Sequence, residues 1–214
     1  MKVIRYLIAG LIFAVPLLGL AQENQWSHVG FSAGAGFSAP QGRAGSNVNT
    51  GWNLDFRGGY RPSSHLALDL DWNYNRWNLN GAALARVGEP GGYMSIWSLS
   101  LLPTLKGSPH WHVSPYVLAG PGLYYRNLSL TRPGVANTFV CDPFFGFCYP
   151  GAVGVTQVVA SNSTYKLGVS GGAGLEMRLG QSHAKLFGEA RYARMFTTHG
   201  TDITFVPVTF GIRW

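Results

Sequence analysis

The sequence predicts an all-β chain in which eight antiparallel strands close into an up-and-down barrel that spans a membrane. Three observations carry the prediction. Eight segments alternate apolar with small or polar residues at every second position, the period at which strand side chains change faces. The connections between segments run alternately short and long. The composition is charge-poor, at 12% Asp, Glu, Lys and Arg, yet 29 of 214 residues are Gly and another 29 are Phe, Trp or Tyr.

The first residues belong to export rather than to the fold. Lys2 and Arg5 precede an apolar run from Tyr6 to Leu20, and Gly19-Leu20-Ala21 offers small residues before Gln22. That order is a cleaved secretory signal peptide over residues 1–21, too short and wrongly flanked for a lasting membrane helix. A retained anchor fits these features less well, and no Cys follows the run to carry a lipid. One barrel domain is expected over 22–214. Without Lys2 and Arg5, 14 basic residues face 9 acidic ones, a net charge of +5. The cations are scattered singly along strands and loops, so nucleic acid is not the expected partner. No later stretch approaches the ~18 apolar residues of a spanning helix.

Strand one, Trp26 to Phe37, sets Val29, Phe31, Ala33, Ala35 and Phe37 against Gly30, Ser32, Gly34 and Gly36. Strand two, Thr50 to Arg61, sets Trp52, Leu54, Phe56 and Tyr60 against Asn53, Asp55, Arg57 and Arg61. A tight turn at Pro62-Ser63-Ser64 leads to strand three, His65 to Asn75, the clearest of the eight: Leu66, Leu68, Leu70, Trp72 and Tyr74 oppose Ala67, Asp69, Asp71, Asn73 and Asn75. A Gly-rich connection from Asn78 to Gly92 follows. Strand four, Tyr93 to Leu105, turns Tyr93, Trp97, Leu99 and Leu101 one way and Ser98 and Ser100 the other, with Met94, Ile96 and Leu102 blurring the contrast. Strand five, about Val113 to Asn127, carries Pro115 and Pro121, which fit poorly in a regular ladder and predict a distortion. A long polar excursion, 128–162, separates it from strand six, Tyr165 to Leu179. There Leu167, Val169, Ala173, Leu175 and Met177 oppose Lys166, Gly168, Ser170, Gly172, Gly174, Glu176 and Arg178. Strand seven, Ala184 to Arg194, sets Leu186, Ala190 and Tyr192 against Lys185, Glu189 and Arg191. Strand eight, Ile203 to Trp214, sets Val206, Val208, Phe210, Ile212 and Trp214 against Pro207, Thr209, Gly211 and Arg213.

Short turns follow strands two, four and six; long connections follow one, three and five. An even count of such strands is the plan of a transmembrane barrel with both termini in the periplasm. About 11 residues at ~3.3 Å, tilted ~45°, span ~25 Å, the height of the apolar band. The rival is a soluble eight-stranded barrel with its apolar face inside. The aromatic bulk of that face, including Trp52, Trp72, Trp97 and Trp214, would overfill so narrow a lumen. The other face is largely Gly and Ser, which suits a crowded interior holding a few long charged side chains. The apolar face is therefore assigned to lipid, with its aromatics near strand ends as interface girdles.

The terminal alternation ending in Trp214, the Gly-rich strand Lys166 to Arg178 and the segment Phe187-Gly-Glu-Ala-Arg-Tyr192 resemble the small outer-membrane β-barrel family that includes the barrel half of OmpA, OmpX and the opacity-type proteins. The resemblance covers Trp26 to Trp214; a final Trp, where Phe is commoner, departs mildly from it. It implies an outer-membrane location, contact with outer-membrane lipids and lipopolysaccharide, and a strand whose outward residues Val208, Phe210, Ile212 and Trp214 serve the barrel-assembly machinery as a signal. No appended peptidoglycan-binding domain is expected, and the barrel is expected to be a monomer.

The inward face gathers Asp55, Arg57, Asp69, Asp71, Lys166, Glu176, Arg178, Lys185, Glu189, Arg191 and Arg213. Buried charges need partners, so a structural polar network filling the lumen is the first reading. A gated ion path, with Glu176, Arg178, Glu189 and Arg191 exchanging partners, is the sharper one; no large pore is expected. Cys141 and Cys148, in an exported chain, read as a disulfide. It would display Phe144, Phe145 and Phe147 at an external tip for contact with a ligand, a host surface or lipid, or pack them on the barrel mouth. His28, His65, His110, His112 and His183 cluster near the predicted periplasmic turns, but no metal or other cofactor is expected. His199 beside Thr197, Thr198 and Thr201 lacks a nucleophile and acid in triad order, so no catalytic residues are assigned. A structural or surface-interaction role is the expectation, ahead of a narrow channel or a lipid-modifying enzyme.

Overall fold

A computed structural model describes residues 28–214 apart from 109–110, 142–143, 181–183 and 198–199. The export signal expected over 1–21, and His110, His183, Thr198 and His199, lie outside the described residues. The elements are β1 (Val29–Gln41), α1 (Gly42–Gly45), β2 (Gly51–Tyr60), β3 (Leu66–Asn78), α2 (Gly81–Val87), β4 (Gly91–Lys106), β5 (Val113–Cys141), β6 (Cys148–Arg178), β7 (Lys185–Met195) and β8 (Ile203–Arg213). Each strand pairs antiparallel with the next, and β8 returns to β1 from Ser32↔Arg213 to Gln41↔Thr204, closing the barrel. The closure runs to Trp214, whose backbone N–H donates to the Phe31 carbonyl at 2.9 Å while the Phe31 N–H donates to the Trp214 carbonyl at 2.9 Å. Every strand therefore has two neighbours in the wall, and no edge is left in the ring.

The burial pattern decides between the two barrels. Along β3, Leu70 is 51% exposed while Asp71 beside it is fully buried. Asp55, Arg57, Glu189 and Arg191 are buried as well, and Trp52, Phe56, Phe210 and Trp214 are exposed. A soluble barrel has the reverse order. On the outer wall Trp52, Tyr74, Trp97 and Trp72 pack ring to ring, with centroids 4.4–5.2 Å apart. Such pairs are fitted to an apolar solvent with a polar boundary. Among the described residues no helix is long and apolar enough to cross a membrane; the crossing is made by strands.

Two elements differ from the sequence reading, and one expected irregularity is found. The excursion over 128–162 is a continuation of β5 and β6, which stay paired as far as Cys141↔Cys148. The Gly-rich connection contains α2. Its Asn80 Oδ1 accepts from the Ala83 N–H at 2.9 Å and Gly88 closes it with a left-handed φ of 69°, the N-cap and C-terminal glycine expected of a stable short helix. The distortion expected near Pro121 is a gap in the β4–β5 ladder between Ser100↔Gly122 and Thr104↔Leu118, a stretch that holds both Pro103 and Pro121. Pro115 keeps its register with Leu175 of β6.

The interior is layered. Toward the long connections, Trp77, Met94, Ile96, Met195 and Phe205 form an apolar plug, with Tyr124 and Val48 packed into it. The Trp77 indole N–H donates to the Ser38 carbonyl at 2.9 Å, and its ring meets Phe205 edge-on at 5.2 Å. Toward the short turns, Leu102, Tyr116 and Leu118 form a second apolar group. The charged residues lie between and below these layers. Inward glycines make the room: a Cβ on Gly172 would sit 2.7 Å from Cγ of Arg191, and one on Gly174 would sit 2.5 Å from the Tyr116 ring. Gly at these positions weakens the strand slightly but admits the large inward side chains.

Candidate functional site

Two features are built to do something other than close a sheet: the ionic core of the lumen and the ribbon that β5 and β6 extend beyond the barrel.

The core brings together Asp55, Arg57, Asp71, Glu189 and Arg191 from the interior set expected from sequence. Arg57 lies on β2 facing Asp71 of β3 in the ladder. Its Nη1 and Nη2 donate to the two Glu189 oxygens at 3.0 and 2.9 Å, its Nε to Asp71 at 2.9 Å, and Nη2 also to Asp55 at 3.0 Å. Arg191, on β7, crosses the lumen to Asp71 at 2.8 Å and to Asp55, and its Nε lies 2.9 Å from Glu189. Asn73 donates a further bond to Asp55 at 3.2 Å. Three carboxylates and two guanidinium groups thus share one buried cluster, each acid held by both arginines. Residues far apart in sequence meet here because alternate positions of different strands point into one narrow lumen.

The others separate by level. Glu176 forms a second cluster toward the short turns, with Arg213 at 2.9 Å, Lys106 at 3.5 Å and Lys185. Strand four as read from the sequence stops at Leu105, one residue short of Lys106; its parity with Leu102 and Thr104 is the signal that marks it as inward. Asp69 accepts from the Thr104 hydroxyl at 2.8 Å. Lys166 is half-buried on the inward face of β6, and Arg178 is exposed at the end of that strand, beyond the buried clusters. The Phe187 ring stacks the two clusters, with Arg57 5.9 Å and Arg213 5.2 Å from its centroid. A cavity of about 10 Å³ beside Arg191 and Tyr124 is the room of a single water. The lumen is filled at this level.

The ribbon begins where β5 loses β4 at Gly91↔Thr131. Above that point ten residue pairs, Arg132↔Gln157 to Cys141↔Cys148, join β5 to β6 alone. The register jumps between Leu130↔Ala160 and Thr131↔Val158, leaving Val159 as the extra residue of a bulge. Bulges bend and twist a strand pair, so the ribbon is re-aimed where it leaves the wall. At ~3.3 Å per residue it reaches roughly 35 Å past β4. The Cys141–Cys148 disulfide ties its end, and Phe144 and Phe145 beyond it are 90% and 78% exposed. Phe147 lies 6.4 Å from the Phe145 ring and 6.1 Å from Tyr149. The tip is displayed, not folded onto the barrel mouth. The seven-residue spacing of two cysteines was the sequence signal for this tip; nothing in it announced a paired ribbon.

At the same end of the barrel, the connection between β7 and β8 is pinned by Asp202, which accepts from the Thr197 N–H at 3.0 Å and from Arg194 at 2.8 Å. That backbone bond, then the guanidinium, holds the Asp202 carboxyl below the usual carboxylate range. Among the described residues no group of three His, Cys, Asp or Glu side chains is arranged to hold a metal ion.

A closed ring of eight strands, charged within and hydrocarbon-coated without, is a transmembrane barrel of the bacterial outer-membrane type. The chain belongs to the family described as outer membrane protein beta-barrel domain, which it matches over residues 8–214. Among solved structures it is similar to Neisserial surface protein A, at 14% identity and a TM-score of 0.57, with 86% of this chain and 95% of that one covered. It is also similar to a major outer membrane protein from Thermus thermophilus, at 14% identity and a TM-score of 0.53, with 87% and 98% covered. At that identity the likeness is one of fold. No curated protein sequence matches the chain significantly.

Proposed function

We propose that this protein is a non-catalytic surface-interaction barrel whose β5–β6 ribbon, pointing out of the cell, makes the contact. The observation that carries the reading is the ribbon itself. Ten residue pairs stand clear of the wall with a disulfide-tied aromatic end, and Val135 and Phe139 are exposed along its length. Both ribbon strands lack an outer ladder partner among the described residues, which suits recognition by strand addition, with main-chain bonds for affinity and alternate side chains for choice. The filled lumen supports a supporting rather than conducting role for the barrel, so planar-bilayer recordings should show no stable nanosiemens step. Lipids and lipopolysaccharide surround the aromatic wall, and the β8 residues Val208, Phe210, Ile212 and Trp214 serve the assembly machinery.

Deleting residues 137–151 tests the ribbon. The shortened protein should still insert and shift on unboiled gels as a folded barrel, while cells bearing it lose binding to immobilised host-surface and matrix proteins. Undiminished binding by the deletion, at equal surface abundance, would sink the proposal.

A further inference from the structure

Beside the base of the ribbon, the barrel mouth holds a cavity of about 500 Å³ between α2, the middle of β5 and the start of β8. Its floor is the outer face of the apolar plug: Val48 and Met94 belong to that plug, and Leu79, Leu128 and Ile203 pack against it. Ala83 and Val87 of α2 form an apolar side wall. The space has room for on the order of 15 water-sized groups at ~30 Å³ each, within the range of small-molecule sites, which are mostly apolar with a few polar groups to orient the ligand.

The polar groups here have one sign to spare. Arg86 and Arg126 line the cavity, and neither forms an ion pair among the described residues. The Arg86 Nε donates to the Ala82 carbonyl of its own helix at 3.2 Å, and an Arg126 Nη donates to the neutral Asn162 amide oxygen at 3.2 Å. The Nε of Arg126 is buried with no hydrogen-bond partner. Asp202 is the one carboxylate in the lining, and it is engaged by Arg194 and the Thr197 N–H. A guanidinium with a buried unpaired donor is costly in isolation, and a planar acidic group is the partner its geometry fits.

We propose that this mouth pocket binds amphipathic anions, with an alkyl or aryl carboxylate as the type of ligand. Its head group pairs with Arg126 and Arg86, and its apolar body lies on the outer face of the plug. A cationic amphiphile meets two arginines and does not fit the lining. Below the floor the plug and the ionic core close the lumen, which makes the pocket a blind site loaded from the ribbon side.

The test is calorimetric titration of octanoate into the full-length barrel in phosphatidylcholine nanodiscs, with empty discs subtracted. Octanol and octyltrimethylammonium serve as neutral and cationic controls. Saturable one-to-one octanoate binding is expected, weakened roughly tenfold or more by Arg126→Gln and by Val87→Glu, which puts a negative charge on an exposed wall residue. Octanol should bind weakly and show no response to Arg126→Gln, and octyltrimethylammonium should not saturate. Absence of saturable octanoate binding overturns the proposal. So does octanoate binding that equals octanol binding or is unmoved by Val87→Glu and Arg86→Gln. Those two substitutions lie on α2, outside the barrel wall, and keep the test available if Arg126→Gln fails to fold.

Discussion

Replacing Arg191 by Met keeps most of the side-chain volume and removes one of the two cations that hold three buried carboxylates. In the intact cluster Arg191 contacts Asp55, Asp71 and Glu189. Charge-assisted bonds are worth roughly 1.5–3 kcal/mol each, but summing three overstates the loss, because Arg57 still touches all three acids. The measured cost of removing one partner from a buried ion pair, about 3–5 kcal/mol, is the better guide. A loss near 4 kcal/mol lowers the folding constant roughly a thousandfold at ~1.4 kcal/mol per decade. The assay is urea unfolding in phospholipid vesicles, followed by tryptophan fluorescence and by gel shift. Adding Asp71→Asn removes the surplus carboxylate and restores the formal charge of the cluster. The double variant should therefore recover at least ~1.5 kcal/mol relative to the sum of the single ones, a coupling typical of residues in direct contact. A single-variant loss under ~1 kcal/mol, or strict additivity, would refute the picture of a locked, water-poor plug.

Trp214→Ala leaves the backbone bonds between Trp214 and Phe31 in place. It should lower the amount of assembled barrel in cells more than it lowers the urea stability of barrel already folded; equal losses would make the strand merely structural. Asp202 has a depressed carboxyl, so its stabilisation of the β7–β8 connection is present above the ordinary Asp value and fades as pH falls below about 4. The Thr197 amide resonance should titrate in that acid window and stop doing so in Asp202→Asn; an unchanged titration would exclude Asp202 as its partner. Cys141→Ser with Cys148→Ser removes a closed loop worth roughly 2.5 kcal/mol in the chain-entropy model. Because the bridge lies at the ribbon tip, the cost should appear as protease sensitivity of the ribbon, with the gel shift of the barrel unaltered.

How much of this was legible depended on what each strand face touches. In β3 every second residue meets hydrocarbon and the others meet the lumen, so Leu66 to Tyr74 separate cleanly from Ala67 to Asn75. The upper ends of β5 and β6 have water on both sides. Asn137, Thr138, Ser161, Asn162 and Ser163 are polar regardless of the face they occupy, and a strand without facial contrast has no period-two signal to read. The helix α2 hid for a different reason: Ala82 to Val87 is a fair helical run, but glycines on either side gave it the composition of a loop. Inward charges were legible as a set, because parity assigns them, yet their pairing was not. Whether Glu189 meets Arg57 or Lys185 depends on the stagger of strands around the ring, which no local pattern encodes. The inward apolar residues Trp77, Met94, Ile96 and Phe205 broke the rule that apolar means lipid-facing. In β4 they registered only as a blurred alternation.

That blurred alternation matters for what the barrel can do. A lumen lined only with Asp55, Arg57, Asp71, Glu189 and Arg191 would be polar from end to end, and partner exchange among the charges would open an aqueous path. Instead Trp77, Met94, Ile96 and Phe205 cap the ionic core on one side, and Leu102, Tyr116 and Leu118 underlie it on the other. An ion leaving the core in either direction must shed water against hydrocarbon, at a cost of several kcal/mol. Rearranging the salt bridges leaves Trp77, Met94, Ile96 and Phe205 above the core and Leu102 and Leu118 below it, so the barrier remains. The same cap gives the mouth pocket its floor. Occupancy there is consequently uncoupled from passage through the barrel, and substitutions at Arg191 should leave octanoate binding at the mouth unchanged wherever the barrel still folds. Altered affinity in folded Arg191→Met would mean that the cap moves with the core, and the lumen would then have to be treated as a single, gated unit.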